Sequence, residues 1–351
     1  MKTIKGPGIF LAQFISEESP FNTLDSILKW VADIGYTSVQ LPTWNIDIFD
    51  VKLAASSKEY ASEILGKIRE NGLILTEICS HLHGNMIASH PAYDSALDLL
   101  CPKTIIGKPK ERSKWATKIL KSCAIASKNM NLKNHVTFPG CLLWPYLYPG
   151  MLRPKGIIED GYREHSKKWT PLLNFFDEHG INICYEVHGA QDIHDGITFE
   201  KFLKAVNNHK RCKILFDPSH FVLQGLDYLS YIDHYHEFIK VFHVKDAEFN
   251  PSGKQGMYSG YENWIDRAAT FRSLGDGQVK FKNIFSKFTK YNYEGWATLE
   301  WECCMKNKID GAIEGFNFIS KNIINIADSV FESEAGKITH TEKNLSDLGI
   351  K

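Results

Sequence analysis

The sequence predicts an α/β protein that forms a single-domain (β/α)₈ TIM barrel. Strand-like and helix-like segments alternate along all 351 residues. In the second half, four apolar, β-branched runs each end in a carboxylate or an imidazole: Glu186, Asp217, His243 and Glu300. The steps between these residues are 31, 26 and 57. One strand–helix unit takes about 30 residues or more, so the spacing indicates two single units and a third with an insertion.

The first half of the chain supplies four predicted strands and several predicted helices. Thr23 is suited to cap a helix that ends at Gly35. The predicted strands are 8–14, 38–41, 73–78 and 135–138. The other predicted helices are roughly 58–70, 114–128 and 159–178. The four polar-ended runs then supply strands five to eight, and a last helix covers about 311–326.

Domain organisation follows from this alternation. We expect residues 1–327 to form the catalytic barrel and residues 328–351 to form a polar C-terminal tail. Two long loops, 81–107 and 250–277, follow the third and seventh strands and are expected to be lids or binding loops. The rival fold is an open doubly wound sheet, which often has a glycine-rich turn after its first strand; residues 15–20 contain no glycine.

Composition excludes several classes of protein. Lysine plus arginine equals aspartate plus glutamate, at 41 each, which gives no support to nucleic-acid binding. The N-terminus lacks a signal-peptide pattern, and no apolar run approaches the length of a membrane span. The eight cysteines include no Cys-x-x-Cys pair, and several lie in apolar runs. This favours reduced thiols and a cytoplasmic location.

The four strand-end residues form a candidate metal site. Glu186, Asp217, His243 and Glu300 offer three carboxylates and one imidazole, a set that suits one divalent ion such as Mn²⁺, Mg²⁺, Co²⁺ or Zn²⁺. Each residue alone is as easily a salt-bridge partner or a cap. Packed together without a cation, however, the three carboxylates would repel one another and raise each other's pKa.

A metal at this site suggests a reaction on a small-molecule sugar or polyol. The ion would hold two adjacent oxygens of the substrate and stabilise an enediolate. Glu186 and Glu300 are then the candidate acid and base on opposite faces of the substrate. A base on each face gives epimerisation, whereas a shuttle between adjacent carbons gives isomerisation.

Six further residues are candidates for substrate contact, each with an ordinary structural alternative. His220 either bonds a substrate hydroxyl or opens the next turn, and Lys245 either binds a substrate oxygen or neutralises carboxylates. His188 lies on the same side as Glu186 if the chain is extended. Three more candidates, which otherwise belong to loops or the core, are His81, His83 and Trp144.

Two acidic residues have supporting roles in this interpretation. Glu302 is expected to support Glu300 from behind the metal ligands. Asp276 is expected to be a turn or cap residue.

At these residues the chain resembles the xylose isomerase-like, sugar phosphate isomerase/epimerase superfamily, over nearly its whole length to about Ile326. Glu186, the Asp217-x-x-His220 pair, His243 and Glu300 match that superfamily's metal and substrate positions. The resemblance implies a TIM barrel in which the two glutamates act as acid and base. Members include ketose 3-epimerases, inosose isomerases and dehydratases, and the endonuclease IV branch.

The sequence departs from two branches of this superfamily. The endonuclease pattern has a histidine before its Leu-Gly-x-Gly turn and an Asp-x-His pair, whereas this chain has neither at 272–277 and 246–248. The arginine that often follows the seventh strand in the epimerases is replaced by Phe249 and Asn250, although Arg267 or Arg272 could substitute for it. We therefore expect a metal-dependent isomerase or epimerase, and a homo-oligomer is one option for its assembly. An inosose-type dehydratase is the nearest alternative, followed by an endonuclease or a non-catalytic sugar-binding barrel.

Overall fold

The computed structural model of the protein describes residues 3–148, 152–326 and 346–350. Eight parallel strands close into a barrel, which confirms the predicted fold class. In order around the barrel, they are β1 (Lys5–Phe10), β10 (Trp296–Leu299), β7 (Ile239–Val244), β6 (Cys212–Phe216), β5 (Asn182–Glu186), β4 (Asn134–Thr137), β3 (Ile74–Cys79) and β2 (Ser38–Pro42). The predicted tail, 328–351, lies outside the described residues except for 346–350.

Helices cover the outside of the barrel and shape its loops. They are α1 (Leu24–Ile34), α2 (Val51–Ser56), α3 (Lys58–Glu70), α4 (His81–Asn85), α5 (Asp94–Asp98), α6 (Pro109–Asn129), α7 (Ile157–Glu178), α8 (Gly196–Ala205), α9 (Pro218–Gln224), α10 (Tyr228–Tyr235), α11 (Phe281–Lys290) and α12 (Lys308–Asn322). The predicted ends of α1 are confirmed: Thr23 Oγ1 accepts the Ser26 N–H at 3.2 Å, and Gly35 adopts a φ of 113° that favours glycine.

The core has two parts. A large cluster packs the strands against the surrounding helices. A smaller cluster fills the barrel interior and contains Phe10, Cys79, Val136, Cys184, Leu215 and Val241. These apolar interior side chains lie beneath the carboxyl ends of the strands, where the candidate site residues are found.

The first strand differs from its predicted extent. β1 begins at Lys5 and ends at Phe10, and the chain then turns, with the Phe14 N–H bonded to the Leu11 carbonyl at 3.0 Å. The apolar pattern continued to Phe14 because Leu11 and Phe14 are both fully buried in that turn. Burial in a turn therefore produced the same pattern as a longer strand.

The two predicted long loops contain regular structure. The first includes α4 and α5, and the second is part of a hairpin in which β8 (Asp246–Phe249) pairs antiparallel with β9 (Ala269–Arg272). Asp246 closes the base of this hairpin by accepting backbone N–H groups of Ala247, Gly275, Gly277 and Val279. Both segments lie at the end of the barrel that carries the candidate site.

Two predictions from composition can be compared with the structure. All eight cysteines are free thiols. No helix in the described ranges combines the length and the apolar character needed to cross a membrane.

Candidate active site

Four strand ends bring the predicted metal ligands together. The strand register places them at one end of the barrel. Glu186 pairs with Leu215, which is two residues before Asp217. Val244 pairs with Leu299, and these two residues are the chain neighbours of His243 and Glu300. One ligand atom from each of the four lies within 4.8 Å of all the others, and all four residues are buried. We call Glu186, Asp217, His243 and Glu300 the acidic cluster.

Two histidines surround Glu186. His81 Nε2 lies 3.0 Å from Glu186 Oε2, and His220 Nε2 lies 3.1 Å from Glu186 Oε1 and 3.4 Å from Asp217 Oδ2. Burial by itself would raise the pKa of the Glu186 carboxyl, but its contacts with His220 and His81 hold that pKa well below the usual range. The carboxylate of Glu186 is therefore ionised at neutral pH.

Glu300 is held from a different side. Its Oε1 accepts a hydrogen bond from the Gln13 amide at 2.9 Å, and its Oε2 lies 2.9 Å from His243 Nδ1. Burial opposes ionisation of Glu300, but Lys245 and His243 overcome that effect and lower its pKa. Glu186 and Glu300 thus face the cluster with separate sets of neighbours, as two groups with separate roles in proton transfer would need.

Lys245 neutralises part of the negative charge. Its Nζ lies 2.9 Å from Glu302, 3.5 Å from Glu300 and 3.7 Å from Asp217. It also lies 4.2 Å from the centre of the Phe271 ring, which covers it. Burial would lower the pKa of the Lys245 ammonium, yet the carboxylates, Glu300 first, raise that pKa well above its usual value. Of the two predicted roles for Lys245, these contacts match charge neutralisation. Glu302 was expected to support Glu300 from behind, but it contacts Lys245 and lines the cleft.

The cluster fits a divalent cation. Glu186 Oε1 and Asp217 Oδ2 are buried, and their contacts with His220 lack the geometry of a hydrogen bond. Unsatisfied buried carboxylate oxygens are costly, and a cation coordinated between them would remove that cost. The donor set of three carboxylates and one imidazole suits a hard or borderline ion.

A cleft of about 1060 Å³ opens above the cluster. Its floor includes Gln13, His188 and His220, and one wall carries Trp144. The His188 ring packs on His220 with ring centres 3.7 Å apart, and burial lowers the pKa of His188 to about 3. His188 is therefore a neutral imidazole, placed with His220 where a substrate would enter.

His83 does not join this group. Its ring packs on Trp115 in α6, with ring centres 5.0 Å apart, and its Nδ1 lies 3.5 Å from Thr43 Oγ1. The prediction grouped His83 with His81, but residues 81–85 form helix α4. Two residues along a helix correspond to about 200° of rotation, so the two side chains point in opposite directions. We accordingly leave His83 out of the proposed site.

Two glutamines were missed in the sequence. Gln13 bonds Glu300, and Gln40 Oε1 lies 2.8 Å from His243 Nε2. Gln40 lies inside the apolar β2 run and Gln13 lies just beyond β1. A polar residue at the end of an apolar run was the signal that identified Glu186. Neither glutamine gives that signal, because Gln40 is in the middle of β2 and Gln13 lies in the turn after β1.

The chain resembles known proteins in sequence over about half of its length. An inosose dehydratase from Clostridium botulinum (strain Alaska E43 / Type E3) is 27% identical over 176 residues, which are 47% of this chain and 58% of that relative. The chain thus matches only a little over half of that relative's length.

Solved structures resemble the chain over a greater length. A xylose isomerase domain protein from Planctomyces limnophilus has a TM-score of 0.61 at 15% identity, covering 92% of this chain and 98% of that one. A 3-keto-D-glucoside 4-epimerase from E. coli in its apo form has a TM-score of 0.61 at 14% identity, with 90% and 98% covered. At these identities the likeness is one of fold. A family model described as xylose isomerase-like TIM barrel matches residues 28–322, and the chain belongs to that family.

Proposed function

We propose that the protein is a divalent-metal-dependent isomerase or epimerase that moves a proton next to the carbonyl of a sugar, sugar phosphate or cyclic polyol. The observation that supports this most directly is the acidic cluster, whose four ligand atoms lie within 4.8 Å of one another. The cluster contacts the cleft through Gln13 and His220, which line it. A metal-ion cofactor held by Glu186, Asp217, His243 and Glu300 would supply charge stabilisation for an enediolate.

In this proposal the residues of the cluster and those around it have separate roles in proton transfer, charge control and substrate contact. Glu186 takes or returns a proton on one side of the substrate, and Glu300 does so on the other. They come from β5 and β10, which are separated in the barrel by β6 and β7. His220 and His81 set the charge of Glu186, while Gln13 and Lys245 orient and neutralise Glu300. Cleft residues His188 and Trp144 would contact the substrate.

Dehydration is the second candidate, because the inosose dehydratases are relatives at 27% identity. The first step would be the same removal of a proton beside a carbonyl. The outcome then differs, since a neighbouring hydroxyl leaves instead of a proton returning. His220 lies beside both Glu186 and Asp217 at the cleft floor and is placed to protonate that leaving hydroxyl.

A screen in deuterated water tests the proposal. Ketoses, sugar phosphates and inososes are incubated with the full chain, first stripped with a chelator and then supplied with Mn²⁺, Mg²⁺, Co²⁺ or Zn²⁺. We expect turnover only with metal, and deuterium in the substrate or product because the proton passes through Glu186 or Glu300. A product with one water less identifies the dehydratase.

Substitutions assign the roles. Glu186→Gln and Glu300→Gln should each reduce turnover by about 10²- to 10⁴-fold, the usual contribution of a general acid or base. Glu237→Gln is a matched control, since Glu237 is exposed and lines a cavity at the opposite end of the barrel. Full activity in metal-free protein, or complete retention of the migrating hydrogen, would refute the mechanism.

A further inference from the structure

The cleft above the acidic cluster changes in character from its floor to its mouth. The floor is polar, with Gln13, His188, His220 and Glu302. The outer walls are largely apolar and carry Leu147, Leu223, Leu226, Met257, Tyr258 and Trp264. We call these six residues the outer wall. A free sugar or polyol can stack a C–H face on the two rings of the outer wall, but its hydroxyls would lose water against the four aliphatic residues without gaining hydrogen bonds.

The volume of the cleft also favours a ligand that is larger than a single sugar ring. Its volume of about 1060 Å³ lies at the upper end of the range for sites that hold drug-sized molecules, ~300–1,000 Å³. A single sugar ring at the cluster would leave the outer wall uncovered. The outer cleft therefore has room for a second, apolar part of the same ligand.

Two of the segments that build the outer wall are loops that meet. Tyr148, in the loop after β4, packs edge-on against Tyr258 in the β8–β9 hairpin, with ring centres 5.2 Å apart. Trp264 stacks on Phe271, with ring centres 5.0 Å apart, and Phe271 in turn covers Lys245. Two pairs of stacked or edge-on rings thus lie along the cleft, one of which reaches Lys245 through Phe271, and such rings suit a flat apolar group.

The cations near the cleft already have partners, which argues against a phosphate. Arg267 donates to the Glu262 carbonyl at 2.8 Å and to the Gly260 carbonyl at 3.0 Å, and its guanidinium stacks 4.2 Å from the Trp264 ring centre. Arg272 bonds Glu248, and Lys245 contacts three carboxylates. All three of these described cations thus contact groups of the protein. Two of them, Arg267 and Arg272, were the candidates to replace the usual substrate-binding arginine.

We propose that the substrate is an uncharged glycoside whose sugar or polyol ring carries a ketone. The ring lies at the acidic cluster, and an aryl or similarly flat apolar substituent lies against the outer wall. The position of the ring rests on the proposed function. The position of the substituent rests on the composition of the outer wall and on the pairing of the nearby cations.

Matched pairs of ligands test this inference. The full chain loaded with Mn²⁺ is titrated calorimetrically with the 4-nitrophenyl and the methyl β-glycosides of glucose, galactose and xylose. We expect the aryl glycoside of at least one pair to bind about tenfold more tightly than its methyl partner, as burial of one aromatic ring allows. Glucose 6-phosphate should bind no more tightly than glucose.

Substitutions on two sides of the cleft test where the aryl group binds. Tyr258→Ala in the hairpin and Leu147→Ala in the loop after β4 should each reduce the aryl-to-methyl affinity ratio about threefold or more. Tyr261→Ala is the control: Tyr261 belongs to the same hairpin, is fully exposed and does not line the cleft, so the ratio should stay at its wild-type value.

Failure of this inference can be told apart from failure of the proposed function. Chelator-stripped protein should retain a preference for the aryl partner, because the outer wall contains no proposed metal ligand. Equal affinities within all three pairs, absence of binding by every aryl glycoside, or wild-type ratios in both wall variants would each overturn the inference. Loss of metal-dependent turnover with a retained aryl preference would instead refute only the metal mechanism.

Discussion

His243 is held through both of its ring nitrogens. Nδ1 lies 2.9 Å from Glu300 Oε2, and Nε2 lies 2.8 Å from Gln40 Oε1. An amide oxygen can only accept a hydrogen bond, so Nε2 carries a proton, which leaves Nδ1 as the atom that faces the cluster. The Gln40 amide nitrogen donates to Glu77 Oε2 at 2.7 Å, which fixes the orientation of the amide. Gln40 and Glu77 therefore act as positioning residues for His243.

Replacing Gln40 should weaken metal binding without removing a metal ligand. We expect Gln40→Leu to reduce Mn²⁺ affinity about tenfold to a hundredfold, the usual effect of losing a partner that orients a ligand. Competition with a chelator measures the affinity, and ¹⁵N NMR of the His243 ring reports the tautomer directly.

A milder variant provides the control for Gln40. Glu77→Gln keeps an oxygen that can accept from Gln40, so its effect on affinity should be smaller than that of Gln40→Leu. Unchanged Mn²⁺ affinity and an unchanged ring spectrum in folded Gln40→Leu would show that the amide has no positioning role.

At the scale of single residues, sequence identified charged groups better than neutral ones. Glu186 and Asp217 stood out because a carboxylate at the end of an apolar run needs an explanation. Gln40 needs none, since an amide is tolerated in a strand wherever a partner is available. That partner, His243, lies 203 positions along the chain, and no local pattern reports a contact of that span.

At the scale of elements, the loop after β4 depends on one buried carboxylate. Asp192 accepts the backbone N–H of Leu142 at 2.7 Å and that of Leu143 at 2.9 Å, and it lies 2.7 Å from His165 Nε2. Both Asp192 and His165 are buried. The next residue in this loop is Trp144, which lines the cleft, so the contact fixes one wall of the candidate site.

Asp192→Asn should therefore loosen this wall and destabilise the protein. The amide can accept through only one oxygen, and a hydrogen bond to a charged group contributes about 1.5–3 kcal/mol. We expect the free energy of unfolding to fall by about 2 kcal/mol, with faster hydrogen exchange at the Leu142 and Leu143 amides. Urea unfolding and exchange mass spectrometry measure the two effects.

The matched control changes a carboxylate of similar local geometry on the surface. Asp227 accepts two backbone N–H groups at the start of α10 and is exposed, so Asp227→Asn should leave exchange at Leu142 and Leu143 unchanged. Unaltered exchange at those amides in Asp192→Asn would contradict the proposed anchor.

The same scale shows why the hairpin was predicted as a loop. β8 begins at Asp246, only two residues after β7 ends at Val244, so no turn signal separates the two strands in the sequence. Its partner β9 has only four residues, too few for a clear alternation of apolar and polar positions. The aspartate that organises the closing turn is Asp246, whereas the sequence directed attention to Asp276, which lies within the turn.

At the scale of the whole molecule, the barrel was predictable because its repeat is long and regular. Glu186, Asp217 and His243 are spaced along the chain by about the length of one strand–helix unit. Because the sheet closes into a barrel, residues at successive strand ends lie close together. The cleft was not predictable in the same way. Its outer wall includes Tyr258, whose contact with Tyr148 depends on how two irregular loops fold over the barrel.

Closure of the barrel also links metal binding to global stability. The acidic cluster draws one ligand from the end of each of β5, β6, β7 and β10, so unfolding would separate all four ligands and destroy the proposed site. A metal that binds only the folded chain stabilises it by about 2.7 kcal/mol when its free concentration is 100 times Kd. We expect Mn²⁺ to raise the free energy of unfolding by about this amount.

Urea unfolding at fixed Mn²⁺ concentration measures this link, with Glu300→Gln and Gln40→Leu as graded tests. At the Mn²⁺ concentration that gives the full effect in the wild-type protein, the gain should be almost lost in Glu300→Gln, which lacks a ligand. In Gln40→Leu, which has all four ligands but lower affinity, part of the gain should remain, and Glu237→Gln should match the wild type. If Mn²⁺ stabilised all four proteins equally, the ion would be binding elsewhere on the molecule, and the acidic cluster would have to be interpreted as a network of buried ion pairs around Lys245.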